Sequence, residues 1–206
     1  MARQAGLLVI ADGKRGDVPV TAAAYAQGLL SSTPTPWGEV PGLGADAVTA
    51  NPLLGADALE PIVTAARAAE AGVFVLVRTS NPGAADFEDL PTTGEDGTTA
   101  PLWERLARRV DDLGVEAVTG ATAPEHLPRM RELMPRAVFL LPGVGAQGGR
   151  VEALAAAFAP GPAAGLVTVS RGIALAHEER GGEPAPAAAE AAADLREQVW
   201  RLAAAV

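Results

Sequence analysis

Cysteine is absent from this 206-residue sequence, so neither a disulfide framework nor a thiolate metal site can form. That usage is expected of a cytoplasmic protein. Positive charge is scarce: 16 lysines and arginines stand against 25 aspartates and glutamates, a net charge of −9. Non-specific binding to nucleic acid or to an anionic membrane needs a cationic surface, so neither partner is expected. No run of about 18 apolar residues occurs, which leaves no candidate transmembrane helix. The first apolar run, LLVIA, is too short for a signal peptide and leads straight into charges. Aromatic residues are few, and Trp37, Trp103 and Trp200 are scattered, as expected of packing residues rather than base readers. His126 and His177 lie on or near helical segments without a third ligand; both read as surface residues, and no metal and no cofactor is implied. Lysine is nearly absent too. Lys14 is the one lysine, and it stands in D-G-K-R-G-D between Asp12 and Asp17.

What the sequence has is a repeated phrase. An apolar run of five to eight residues ends in a polar or glycine-bearing turn, often with a helical stretch after it. The runs are LLVIAD (7–12), DAVTANP (46–52), GVFVLVRTS (72–80), EAVTGAT (116–122), AVFLLPG (137–143) and GLVTVSRG (165–172). Most are continuously apolar, as in a parallel sheet covered on both faces. Segments 56–72, 101–114 and 123–135 carry apolar residues at helical spacing, with Gly72 and Gly114 as expected stops. The alternation predicts a parallel α/β fold in one domain over residues 1–206.

A (β/α)₈ TIM barrel needs eight strands and about 250 residues. Six strands are visible here, and only MARQAG precedes the first; that fragment reads as a last helical turn with a glycine stop. Two architectures fit: an incomplete (β/α)₈ TIM-barrel type with six βα units present, or a complete doubly wound open sheet. Segment 31–45 and segment 81–100 are long connections, the second read as a lid over the strand ends. Segment 178–193 reads as a loose connection into a final amphipathic helix.

Asp12 and Lys14 are two residues apart at a strand end, so a period of two places them on one face. At the carboxyl end of a barrel strand that face meets the active-site mouth. Asp17, beyond Gly16, belongs to the loop or helix start. An ammonium held by carboxylates can donate a proton, whereas a guanidinium effectively cannot. The competing reading is a solvated turn with an incidental ion pair. LPGVGAQGG (141–149) formally matches a dinucleotide fingerprint but lacks the acidic residue that should end the next strand. Taken with VSRGIA (169–174), it reads better as a phosphate site built by the last two βα loops, with Arg171 adding a charge-assisted fork. Ordinary tight turns remain the alternative. Ser80 ends a strand, where it could bind a ligand or cap a turn.

Taken together, ADGKRGD, with Thr21 four residues beyond Asp17, DAVTANPLLG, TSNPGA, LPGVGAQGG and SRGI resemble the orotidine 5'-phosphate decarboxylase family in content and order, through about Leu175. The resemblance implies a cofactor-free (β/α)₈ homodimer with shared active sites that converts orotidine 5'-monophosphate to UMP and carbon dioxide in pyrimidine biosynthesis. It implies Lys14 as the proton donor to C6, and Asp12 beside the leaving carboxylate. Asp17 and Thr21 would reach into the partner's site, and Ser80 would contact the pyrimidine. Pro142, Gln147 and Arg171 would close on base and phosphate. The family's first two strands, with a ribose-binding aspartate and a second lysine, have no counterpart here. The expectation is therefore a longer natural protein with Met1 internal, and a chain that is inactive alone. The alternatives are a related sugar-phosphate decarboxylase, against which Ser80 and Gln147 argue, and a non-catalytic phosphate-ligand binding module.

Overall fold

The computed structural model describes residues 2–94 and 96–206. Strand β1 (Ile10–Arg15) leads into helix α1 (Pro19–Leu30) and an exposed hairpin of β2 (Ser32–Thr35) and β3 (Gly38–Pro41). Strand β4 (Ala47–Ala50), helix α2 (Ala56–Ala68) and strand β5 (Gly72–Arg78) come next. A second hairpin, β6 (Pro91–Thr93) with β7 (Thr99–Pro101), precedes α3 (Leu102–Leu113) and β8 (Glu116–Thr119). Then come α4 (Leu127–Leu133), β9 (Phe139–Pro142), a 3₁₀ helix (Val151–Phe158) and β10 (Gly165–Thr168). The short helices α5 (Arg171–Ala174) and α6 (Ala176–Arg180) end the sheet region, and α7 (Pro184–Ala203) closes the chain.

The main sheet runs in the order β1-β4-β5-β8-β9-β10. This order decides between the two architectures. A doubly wound sheet reverses its strand order at a switch point. Here each strand pairs with the next βα unit in sequence, as in a barrel, so the fold is of incomplete (β/α)₈ type. All four residues of β4 and most of β5 are buried, which is why these strands are apolar throughout rather than alternating.

Two compact units make up the chain: Met1–Leu76 with Asp112–Ala117, and Val77–Asp111 with Val118–Val206. In the first, α1 turns Ala22, Ala26 and Leu30 inward, one face at four-residue spacing, and packs on α2. Helix α2 supplies Leu59, Ile62 and Val63 to the same core. In the second unit Leu127, Met134, Phe139, Leu141, Leu154 and Phe158 are fully buried.

Several expectations need correction. Gly72 does not stop α2: that helix ends at Ala68, Glu70 takes the left-handed conformation (φ 53°), and Gly72 is the first residue of β5. Gly114 does stop α3, at φ 61°. Gly6 likewise takes the left-handed stop after a single 3₁₀ turn, Arg3–Ala5. Segment 178–193 is not a loose connection, because α7 is helical from Pro184. Its prolines fall in the first turn, where the N–H they lack has no helical acceptor, and the alanines after them are the best helix formers. Of the three tryptophans, Trp103 packs in the core, while Trp37 and Trp200 are exposed. Neither histidine is fully at the surface: His126 lies against the Trp103 ring at 5.2 Å, and His177 has a buried Nδ1.

Candidate active site

In the first unit, β1 delivers the D-x-K-x-x-D residues through an irregularity. Ala11 pairs with Val48 of β4, but Arg15 pairs with Ala50. Asp12, Gly13 and Lys14 therefore lie opposite the single residue Thr49. This is a bulge with extra residues, and it breaks the regular pleat. Lys14 itself has φ 47°, a region that costs a non-glycine residue about 1–3 kcal/mol. The even pleat expected between Asp12 and Lys14 is thus corrected; the bulge brings them together. Lys14 Nζ lies 2.6 Å from Asp12 Oδ1, with both side chains about half exposed. Thr49, almost fully buried on β4, accepts the Lys14 backbone N–H at 2.8 Å and donates to Asp12 Oδ1 at 2.9 Å. Partial burial pushes the Asp12 carboxyl up, but hydrogen bonds from Lys14 and Thr49 and the ammonium charge outweigh it and hold the carboxyl below its ordinary value.

Asp17 does not join this pair. Its carboxylate accepts the Val18 N–H at 2.8 Å, just ahead of α1. Gly16 makes the intervening turn possible, since a Cβ there would come within 2.6 Å of the Asn51 carbonyl. Lys14 is therefore braced by one acid of its own chain rather than two. Thr21 stands half-buried in the first turn of α1.

In the second unit, the segment after β5 is fitted against the ends of β8 and β9. Thr122 Oγ1 donates to the Ser80 carbonyl at 2.9 Å. A Cβ on Gly120 would meet the Ser80 backbone at 2.8 Å, and one on Gly143 would meet Ser80 Cβ at 2.9 Å. The Gly120→Ala variant is accordingly expected to be less stable by about 1–3 kcal/mol, since the atom in the way is backbone and cannot rotate aside. A thermal melt checks this; an unchanged midpoint would contradict the packing.

Ser80 and Gln147 line one open cleft with Arg78, Asn81, Thr122 and Glu125. Pro142 and Arg171 stand outside that lining. The Pro142 carbonyl accepts the Ala121 N–H at 2.8 Å, and Arg171 opens α5 with its side chain exposed. The glycine loop after β9 is built on left-handed Gly143, Gly145 and Gly148. Its N–H groups at Gly145, Gly148 and Gly149 are already bonded to carbonyls within the loop, so they do not form the open phosphate cradle its composition suggested. The loop leads into a 3₁₀ helix, not an α-helix N-terminus.

Residues missed from the sequence surround this cleft. Arg78, nearly buried, makes a two-point contact with Asp89 at 3.3 and 3.0 Å and donates to the Thr79 carbonyl. The Thr79 N–H and hydroxyl are received by Glu88. The segment read as a lid is thus pinned to the end of β5 by two carboxylates. The one signal in the sequence was an arginine ending an otherwise apolar strand. The Arg78 hydrogen bonds hold the Asp89 carboxyl below its ordinary value of 3.8, against some desolvation, with the Arg78 charge also lowering it. The folded form therefore binds this proton less readily than the unfolded chain. Its stabilisation is complete above the ordinary carboxyl value and lost as pH falls below it through the folded value. The Asp89→Asn variant should flatten the acid limb of stability against pH below about 4. Denaturant titrations at successive pH values measure this, and a limb as steep as wild type would refute it.

Among the described residues no group of three or more histidine, cysteine, aspartate and glutamate side chains could hold a metal ion. Among them, too, no helix is long and apolar enough to cross a membrane.

Sequential parallel βα units with a charged pair at the end of a strand define an α/β protein of barrel type. Residues 1–182 match the model of the orotidine 5'-phosphate decarboxylase / HUMPS family, and the chain belongs to that family. The orotidine 5'-phosphate decarboxylase of Rhodopirellula baltica is 44% identical over 191 residues, covering 86% of this chain and 60% of the relative. That of Deinococcus radiodurans is 42% identical over 206 residues, covering 96% of this chain and 69% of the relative. The chain thus spans between about three fifths and seven tenths of the length of these relatives. The solved structure of Leishmania donovani OMP decarboxylase superposes with a TM-score of 0.70 at 33% identity, over 95% of this chain and 70% of the other.

Proposed function

We propose that this chain carries the catalytic pair of an orotidine 5'-monophosphate decarboxylase of pyrimidine biosynthesis. The observation that carries the reading is the contact between Lys14 Nζ and Asp12 Oδ1 within the D-x-K-x-x-D stretch of a family member. The bond between C6 and the carboxylate breaks, carbon dioxide leaves, and the electron pair stays on C6. The Lys14 ammonium then gives its proton to C6, yielding UMP, and regains one from solvent. A fixed ammonium stabilises the charge growing at that carbon without having to reorganise. Asp12 holds the ammonium and faces the departing carboxylate.

Ser80 and Gln147 are the proposed contacts to the base, with Gln147 also reaching the phosphate, and Pro142 and Arg171 complete the nucleotide's surroundings. Contacts remote from the reacting ring supply binding energy that can be used at the ring. Asp17, whose carboxylate accepts the Val18 N–H, and Thr21 are proposed to serve a second copy in a homodimer, in the cytoplasm.

The test is loss of orotidine 5'-monophosphate absorbance with formation of UMP, in this chain and in a version extended upstream, with turnover in either counting. Turnover supports the reading. UMP binding without turnover would instead assign a nucleotide-binding role, and neither would remove the assignment.

A further inference from the structure

We propose that Thr49 is the positioning residue that sets the Lys14–Asp12 pair, its hydroxyl serving as acceptor for one partner's backbone and donor to the other's carboxylate. The inference rests on the reading of Lys14 as proton donor. The bulge in β1 takes the Lys14 N–H out of the regular ladder, since Ala11 pairs with Val48 and Arg15 already pairs with Ala50. An N–H that loses its strand partner needs another acceptor. Thr49 Oγ1 supplies it at 2.8 Å, from the β4 residue opposite the bulge. This bond fixes the backbone of Lys14 in its left-handed conformation, and so the direction in which the side chain leaves. The hydroxyl has one proton, and it goes to Asp12 Oδ1 at 2.9 Å, the same oxygen that holds Lys14 Nζ at 2.6 Å. Thr49 is 1% exposed, which shields its hydroxyl from bulk water. Valine has the same shape and neither capacity; serine retains both.

Few other charges compete at this point. Strand β4, Ala47–Ala50, carries no titratable group, and α1 contributes only Tyr25, whose ring lies against the Arg15 guanidinium. Arg15 Nε is occupied by the Gly13 carbonyl at 2.6 Å, and Asp17 by the Val18 N–H. The titration of Asp12 is therefore read mainly through Lys14, and the molecule has one lysine.

That makes the test direct. Protein labelled with ¹³C and ¹⁵N in lysine gives one side-chain signal, which steps as Asp12 protonates. In Thr49→Val the step should move to higher pH by about one unit, the worth of one hydrogen bond to the carboxylate. Thr49→Ser should keep it in place. A Val variant that folds and titrates as wild type would overturn the proposal. If that variant does not fold, exchange of the Lys14 amide in the wild-type protein decides: slow exchange is expected, and exchange at the rate of a free amide would overturn it. Turnover is a separate readout. Thr49→Val should lower kcat about 10²-fold, as expected for a misplaced catalytic group, with KM little changed and activity recovered in Thr49→Ser. Absence of turnover both from this chain and from a version extended upstream would sink the decarboxylase reading, while the lysine signal would still judge Thr49.

Discussion

Lys14→Ala is expected to lower kcat for orotidine 5'-monophosphate by at least about 10⁴-fold, the upper range for loss of a positioned general acid, with loss of fixed charge stabilisation added to it. Affinity for UMP, measured by titration calorimetry, should fall less than tenfold. The separation comes from where the side chain acts. The ammonium meets Asp12, and under the proposed role its charge acts where the electron pair develops, not where the phosphate is held. Lys14→Arg should be nearly as inactive, although it keeps the charge and a hydrogen bond to Asp12. A guanidinium does not give up its proton in this pH range. Arginine supplies every other permanent positive charge in this chain, so retention of lysine at this one position has a chemical reason under the proposed role. An Arg variant with turnover close to wild type would mean that charge alone suffices and that the proton comes from elsewhere. Equal losses in kcat and in UMP affinity would make Lys14 a binding residue.

Much of this architecture was legible in the residues. Apolar runs marked the places of the six strands of the main sheet, and β4 and β5, buried almost throughout, have no polar side to alternate with. At the edge the match is looser: LLVIAD meets β1 only from Ile10, and Leu7 and Leu8 are exposed. Pairing order is a different kind of fact. Nothing in LLVIAD or GLVTVSRG says which neighbour each strand takes, and the choice between barrel-type and doubly wound sheets came from the order itself. Local exceptions were hidden for local reasons. Asp12 and Lys14 were found by spacing, yet spacing assumes a regular pleat. The bulge depends on Thr49 lying opposite, a contact 35 residues away in sequence. Glu88 and Asp89 were invisible as anchors because their partners, Thr79 and Arg78, are known only once the chain has folded back. The glycine loop illustrates how one composition permits two arrangements. Its composition suits an anion cradle, but the same glycines also allow a loop that satisfies its own N–H groups.

The largest effect on stability is expected at Arg131, a residue with no marker in the sequence. It lies on α4 and is 8% exposed. One terminal nitrogen donates to the Met134 and Ala137 carbonyls at 2.9 and 2.7 Å, and the other to those of Ala157 and Ala164 at 2.6 and 3.2 Å. The guanidinium lies 3.7 Å from the centre of the buried Phe139 ring. A single planar fork thus joins the end of α4, the turn into β9, the end of the 3₁₀ helix and the turn into β10. Arg131→Met keeps length and apolar packing on Phe139 but leaves these carbonyls without their donor. A cost of about 3–5 kcal/mol is expected, as for breaking a buried ionic contact from one side. For a chain of this length that lowers Tm by roughly 6–20 °C. Arg131→Lys should recover part of the loss, since an ammonium cannot span four acceptors or lie flat on the ring. Arg129, two positions earlier, is the control: it is half-exposed and pairs with the exposed Glu132 and with the mostly buried Glu104, which keeps Arg108 as a second partner, so Arg129→Met should cost only about 1 kcal/mol. Thermal melts of the three variants separate a guanidinium that joins carbonyls from one that decorates the surface, and similar midpoints for Arg131→Met and Arg129→Met would refute that distinction.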